Sequence, residues 1–119
     1  MNLQSEITYF SEMGNPDKAR LMASFLCELT GEARATYGAS QDAVHDAAHL
    51  RFVNEICNRV CKLIEQYLGD DKARPADEVV LRMLLAPRAD KTAEKMVHNS
   101  YRRALQNFER YDTTVFMNP

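Results

Sequence analysis

Tryptophan is absent from this chain, and glycine, proline, cysteine and histidine are scarce. The 119 residues include four glycines, four prolines, three cysteines and three histidines. The glycines stand far apart, so the sequence has no glycine-rich loop to hold a phosphate group. The cysteines are odd in number and lie in helical patterns, which does not suit a disulfide framework. These absences exclude a phosphate-binding loop and argue against a small disulfide-stabilised secreted fold.

The sequence also lacks a long apolar run and an excess of one charge. No segment approaches the roughly 20 apolar residues of a membrane span, and the N-terminal sequence MNLQSEITYF has no signal-peptide pattern. The 15 basic and 17 acidic residues give a net charge of -2, which provides no overall attraction to nucleic acid or anionic lipid. We therefore expect a cytoplasmic protein, without membrane contact, whose thiols stay reduced.

Helical periodicity is the main positive signal, and it is strongest between residues 40 and 68. At about 100° per residue, the apolar side chains of this stretch fall on one side of a helix and the charged ones on the other. Ser40 can cap its first turn, and Gly69 can end it in a left-handed conformation. On the charged side, Glu55 is placed to pair with Arg51 and Arg59. The apolar side consists of Phe52, Val53, Ile56, Cys57, Val60, Leu63, Ile64 and Tyr67.

Four further segments have helical patterns, namely residues 5–13, 16–36, a stretch that Pro75 opens, and 91–111 with Asp90 as its cap. The stretch after Pro75 is apolar almost all round, so we expect it to be buried on most sides. Together these patterns predict an all-α fold, an antiparallel helical bundle of four to five helices. It forms a single domain over residues 1–119, with residues 40–68 at its centre and the last helix packed against them.

A candidate metal site comes from the expected turn between the second and third helices. His45 and His49 continue the apolar side of the third helix, so we expect both rings to face the core. If this turn is centred near Gly38, antiparallel pairing places Glu28 opposite His49 and Glu32 opposite His45. Imidazole and carboxylate groups from neighbouring helices suit zinc, iron or manganese. We name His45, His49, Glu28 and Glu32 as candidate ligands of a divalent transition metal. The alternative is that each histidine pairs with a glutamate and that no ion is bound.

A second candidate site is the outer face of the last helix, which is locally basic. Glu94 and Glu109 interrupt this face, and a charged outer face is usually only solvated. Nucleic acid is therefore an alternative partner rather than the favoured one. The basic residues that would contact it are Lys91, Lys95, Arg102 and Arg103, with Arg88 and Arg110 nearby.

Catalysis finds no support, and protein binding is the function that the sequence favours. No serine stands in a nucleophile motif, and Cys27 and Cys61 are better explained as small apolar residues than as nucleophiles. The apolar segment after Pro75 and the apolar tail at residues 115–117 lack an obvious cover. We expect a non-enzymatic binding or regulatory protein that contacts another protein or forms a homodimer. A metal-binding bundle and a nucleic-acid accessory protein are the alternatives.

Overall fold

The described part of the chain is built from five α-helices and contains no β-strand. A computed structural model describes residues 2–37 and 43–113, with side chains described for 2–36 and 47–113. The all-α prediction with four to five helices is confirmed. Ser40, the turn near Gly38 and the apolar tail lie outside the described residues. The helices are α1 (Leu3–Glu12), α2 (Asn15–Tyr37), α3 (Ala43–Leu68), α4 (Asp77–Leu85) and α5 (Lys91–Asn107), and a 3-10 turn at Phe108–Arg110 follows α5.

The helix against which the other long helices pack is α2 rather than α3. Helix α2 contacts both α3 and α5, whereas α3 and α5 are not among the closely packed pairs, and α1 packs against α4. The expectation that the last helix lies against residues 40–68 is therefore wrong. The five consecutive residues 21–25 of α2 are all buried, and a helix buried at five successive positions is covered on every side.

Helices α2 and α3 are antiparallel, but their register differs from the expected one. Asn15 Nδ2 donates to Asp70 Oδ1 at 3.1 Å, and Thr30 Oγ1 lies 3.9 Å from Cys57 Sγ. These contacts place residue 32 about level with Asn54, which is more than two helical turns beyond His45. The observed register is therefore not the one that a turn centred near Gly38 predicts.

One apolar cluster joins all five helices and the terminal turn. Phe10 of α1 meets Tyr67 of α3 edge-on with ring centroids 6.0 Å apart, and Phe25 of α2 meets Tyr101 of α5 at 6.2 Å. These aromatic pairs connect α1 to α3 and α2 to α5 within the core. The largest fully buried side chains are Tyr67, Tyr101, Phe10, Phe25, Leu21, Met22, Leu29, Ile64, Leu81 and Leu84.

The end of α3 differs from the prediction in one residue. The left-handed conformation falls on Asp70, with φ of 52°, and not on Gly69. Aspartate tolerates this conformation because its short carboxylate can accept local hydrogen bonds. Gly69 avoids a tight contact instead, since a Cβ atom there would lie 3.2 Å from the carbonyl oxygen of Glu65. Likewise Pro75 precedes α4 instead of opening it, because Ala76 is the N-cap and the helix begins at Asp77.

Side chains from outside α4 satisfy its last carbonyl groups. Arg88 Nη1 donates to Leu84 O at 2.8 Å, and Arg88 Nη2 donates to Met83 O at 2.6 Å. His98 Nε2 lies 2.9 Å from Leu85 O and donates to it. The last carbonyls of a helix have no partner within the helix, so these contacts complete the C-terminus of α4. The Arg88 guanidinium also lies over the Phe52 ring of α3, 5.3 Å from its centroid.

A largely buried ion pair joins α2 to α4, and residues of α1 and α3 contact it. Lys18 Nζ lies 2.7 Å from Asp77 Oδ2, and the two side chains are 8% and 22% exposed. The Tyr67 hydroxyl of α3 donates to Asp77 Oδ1 at 3.3 Å. The Lys18 ammonium also lies 5.5 Å from the ring centroid of Phe10 in α1. Residues of α1, α2, α3 and α4 therefore meet at this single cation.

Candidate functional site

Polar side chains join α2 to α5, and they include both glutamates of the candidate metal site. Arg103 Nε donates to Glu28 Oε2 at 2.9 Å, and Arg103 Nη2 donates to Glu32 Oε2. Hydrogen bonds to Glu32 and Glu28 raise the pKa of Arg103. Ser100 also donates to Glu32, at 3.1 Å. We call this set the polar seam; its members are Ser24, Glu28, Glu32, Ser100, Arg103 and Asn107.

The structure does not bring those glutamates to His49. His49 is buried at 7% exposure, as its place in the helical pattern predicts. Its Nε2 lies 2.6 Å from Asp90 Oδ2, at the start of α5. The side chain of His45 lies outside the described residues. The expected pairing of glutamates with histidines assumed the tight turn near Gly38, and the observed register separates them along α3.

The described residues contain no group of three or more histidine, cysteine, aspartate or glutamate side chains that could hold a metal ion. An ion that binds Glu28 and Glu32 would have to replace Arg103, which already pairs with both carboxylates. Metal binding by His45, His49, Glu28 and Glu32 stays a prediction.

The basic residues of α5 have divided roles. Arg103 is held in the polar seam, and Lys91 pairs with Glu94 at 3.3 Å. Lys95 and Arg102 are exposed and form no ion pair with any described residue. Two of the four cations proposed for nucleic acid are thus engaged by carboxylates of this chain, which weakens the local positive field. Nucleic-acid binding through Lys91, Lys95, Arg102 and Arg103 stays a prediction.

The three cysteines are free thiols. Cys57 and Cys61 lie one turn apart on α3 and are half-buried, and burial raises the pKa of both thiols. A thiol with a raised pKa is mostly protonated near neutral pH and is a poor nucleophile. This geometry agrees with the interpretation of Cys61 as an apolar packing residue, whereas Cys27 is exposed and does not fit that interpretation.

An apolar groove that the sequence did not reveal lies between α3 and α4. These two helices are not among the closely packed pairs, and the space between them is open to solvent. Leu63 of α3 and Val80 of α4 are buried beneath it, whereas Val79 is 56% exposed and Met83 is partly exposed. We call this surface the α3–α4 groove; it is lined by Arg59, Lys62, Leu63, Gln66, Ala73, Pro75, Val79, Val80 and Met83.

The α3 side of the α3–α4 groove carries two cations. Arg59 and Lys62 are exposed, and neither forms an ion pair or a side-chain hydrogen bond with any described residue. The predicted pairs of Glu55 with Arg51 and Arg59 are likewise not found among the described residues. On the opposite side, Arg82 pairs with Glu78 at 2.9 Å, so α4 adds no uncompensated charge. The groove is therefore apolar at its base and positive along one edge.

Sequence patterns could not assign this groove, although they contained part of the signal. The apolar residues of α4 predict a helix buried on most sides, and Leu81, Leu84 and Leu85 are indeed buried. Val79 faces outward because α4 is short and packs against α1 and α5. Which apolar residue stays exposed depends on where neighbouring helices lie, and a single helical pattern does not contain that information.

These observations define the described part of the chain as a small all-α protein with an apolar groove between α3 and α4 and no assembled metal site. Comparison with protein-family models, with curated proteins and with solved structures finds no match to this chain. None of its described helices combines the length and the apolar character that a membrane-spanning segment requires.

Proposed function

We propose that this chain is a small non-enzymatic binding protein that acts through contact with another protein at the α3–α4 groove. The observation that carries the proposal is Val79, which is 56% exposed beside Met83 above a buried apolar base. Fully burying a valine or methionine side chain contributes about 1.5–3 kcal/mol. A partner that covers these two residues would recover part of that free energy.

The fold supports this proposal because it leaves a concave surface between two helices. A groove between two helices is a common place for a peptide segment of another protein to bind. The base of the groove, at Leu63 and Val80, belongs to the apolar core, so it is already formed in the free chain. A preformed surface reduces the conformational entropy lost on binding.

We also propose that the protein is cytoplasmic and that its role is regulatory rather than catalytic. The three free thiols support the location, since a reducing compartment keeps thiols unpaired. The raised pKa of the Cys57 and Cys61 thiols supports a structural use of these residues.

The homodimer expected from the sequence would place a second copy of this chain, rather than a different protein, at the contact surface. A twofold dimer uses the same surface patch on both copies. If the twofold axis passed through the α3 edge of the groove, Arg59 and Lys62 of one copy would face the same cations of the second copy. Juxtaposed like charges oppose association, so we assign the groove to a different protein chain.

Selection of peptides from a randomised 16-residue display library tests the proposal. The immobilised protein is compared with the Val79→Glu variant, which places a charge at the exposed edge of the groove. Tyr9→Glu is the matched control, because Tyr9 is a similarly exposed apolar residue on α1, at 51% exposure. We expect peptides to be enriched on the wild type and on Tyr9→Glu but not on Val79→Glu. Equal enrichment on all three proteins, or on none of them, overturns the proposal.

A further inference from the structure

We propose that the segment bound in the α3–α4 groove is an amphipathic α-helix with carboxylate side chains beside its apolar face. This inference rests on the proposed function and specifies the partner. It depends on three features of the described residues: the shape of the groove, the kinds of residue that line it, and the charge along its α3 edge.

The dimensions of the groove fit a short helical segment. On the α3 side the lining runs from Arg59 to Gln66, which is two helical turns or about 10 Å. On the α4 side it runs from Val79 to Met83, about one turn. A helix laid between α3 and α4 places apolar side chains at i, i+3, i+4 and i+7 against this base. Two to three turns of the partner are enough to cover it.

The residues of the groove disfavour the other common ways of binding a peptide. Addition of a strand needs the edge of a β-sheet, and the described part of the chain contains no strand. Polyproline segments bind in grooves lined by aromatic rings, whereas the residues that line this groove include no aromatic side chain. Aliphatic side chains between two helices are the surface on which a third helix packs.

The charge at the groove determines which amphipathic helix fits. Arg59 and Lys62 lie one turn apart on α3 and have no ion-pair partner among the described residues. Carboxylates placed along one side of the incoming helix would meet both cations, while its other side would meet the neutral edge of α4. Charges at the edge of an interface select the partner and accelerate association more than they add affinity. A helix with lysines at the same positions would be repelled.

The composition of the selected peptides is the first test. Among peptides enriched on the wild type and lost on Val79→Glu, we expect apolar residues at helical spacing and an excess of aspartate and glutamate. Enrichment that depends on the groove but shows neutral or basic peptides overturns this inference and leaves the proposed function standing. The absence of any enrichment that depends on the groove overturns both.

Charge reversal is the second test. The affinity of the strongest acidic peptide is measured by fluorescence anisotropy against Arg59→Glu/Lys62→Glu. The control is Arg51→Glu/Lys95→Glu, which changes the net charge equally at exposed residues outside the groove. We expect about tenfold weaker binding for the groove variant and little change for the control. A peptide in which the acidic residues are replaced by lysine should bind the groove variant better than the wild type.

Two results would overturn the inference at this stage. Equal weakening in both double variants would mean that net charge, not the groove edge, attracts the peptide. Unchanged binding by Arg59→Glu/Lys62→Glu would mean that the carboxylates do not meet these cations. Circular dichroism of both variants checks that the helices are retained, so that a loss of binding can be attributed to the changed surface charges and not to unfolding.

Discussion

At the scale of single residues, the Tyr101 hydroxyl is the most exceptional group in the core. This side chain of α5 is fully buried against Phe25 of α2, and no described residue hydrogen bonds its hydroxyl. Burial raises the pKa of this hydroxyl, with the charge of Glu6 as the next cause. A buried polar group without a partner costs free energy, because it has given up its hydrogen bonds to water.

Tyr101→Phe should therefore stabilise the fold. Removal of the hydroxyl keeps the ring and its edge contact with Phe25 but removes the desolvated group. We expect the free energy of unfolding to rise by about 1 kcal/mol, measured by urea denaturation. Tyr67→Phe is the matched control, because the Tyr67 hydroxyl donates to Asp77, and that variant should lose stability. A destabilised Tyr101→Phe would show that its hydroxyl has a partner in the folded protein.

At the scale of elements, α4 depends on contacts from residues beyond its own C-terminus. With nine residues it is too short to be stable alone, and Arg88 satisfies the carbonyl groups of Met83 and Leu84 at its end. Arg88→Met should lower the free energy of unfolding by about 2 kcal/mol, because carbonyls lose their charged donor. Arg88→Lys should recover little of this loss, since an ammonium lacks the forked geometry of a guanidinium.

Arg82→Met is the control for this prediction. Arg82 lies on α4 itself but is exposed and pairs with Glu78, so its replacement should change stability by less than about 0.5 kcal/mol. The comparison is made by urea denaturation of the three variants under one set of conditions. If Arg88→Met were no more destabilising than Arg82→Met, the capping role of Arg88 would be wrong.

The N-terminus of α5 makes the stability of the chain dependent on pH. Backbone N–H donation from Ala93, followed by the contact with His49, lowers the pKa of Asp90. Donation from the Arg88 backbone N–H, followed by Lys91, lowers the pKa of Glu94. A carboxylate with a lowered pKa in the folded state stabilises the fold above its unfolded pKa. That stabilisation is lost as the pH falls through the folded pKa.

Asp90→Asn should weaken this dependence, because asparagine caps the helix but does not titrate. Urea midpoints measured at about pH 6 and about pH 3 should differ less for Asp90→Asn than for the wild type. Glu12→Gln is the control, since Glu12 is exposed and its side chain forms no hydrogen bond or ion pair with any described residue. A wild-type decrease on acidification that Asp90→Asn fully retains would contradict the role of Asp90.

The helices and their contacts show which features of the fold the sequence alone predicts. Helix patterns predicted all five helices and the Asp90 cap, because periodicity and capping are local properties. They also predicted a buried His49. They did not predict that α2 is central, that Asp70 takes the left-handed conformation, or that Glu28 and Glu32 pair with Arg103. These features depend on which helices meet and in which register, and residues far apart in the sequence determine both.

At the scale of the whole molecule, the Lys18–Asp77 ion pair connects helices that are separate in the sequence. Asp77→Asn leaves the buried Lys18 cation without its carboxylate, and we expect a loss of about 3 kcal/mol in the free energy of unfolding. Lys18→Met/Asp77→Asn removes both charges and should be less destabilised than Asp77→Asn alone. Urea denaturation of the single and double variants measures this coupling.

The exposed Asp17–Arg20 pair provides the control for this cycle. Asp17→Asn should change stability by less than about 0.5 kcal/mol, because an exposed ion pair is well solvated. If the double variant at Lys18 and Asp77 lost as much as the two single variants together, the charges would act independently. The ion pair would then not be what holds α4 to α2.

The polar seam also has a consequence for the order in which the chain folds. Its Ser24 hydroxyl contacts the carbonyl of Ala104, a partner 80 residues further along the chain. Helices α2 and α3 are neighbours in the sequence and can associate early. Helix α5 is separated from α2 by α3 and α4, so contact between α2 and α5 costs more chain entropy and forms more slowly. During synthesis on the ribosome, α2 therefore cannot contact α5 until residues 91–107 have been made. Until then, Glu28 and Glu32 lack the cation that neutralises them in the finished fold.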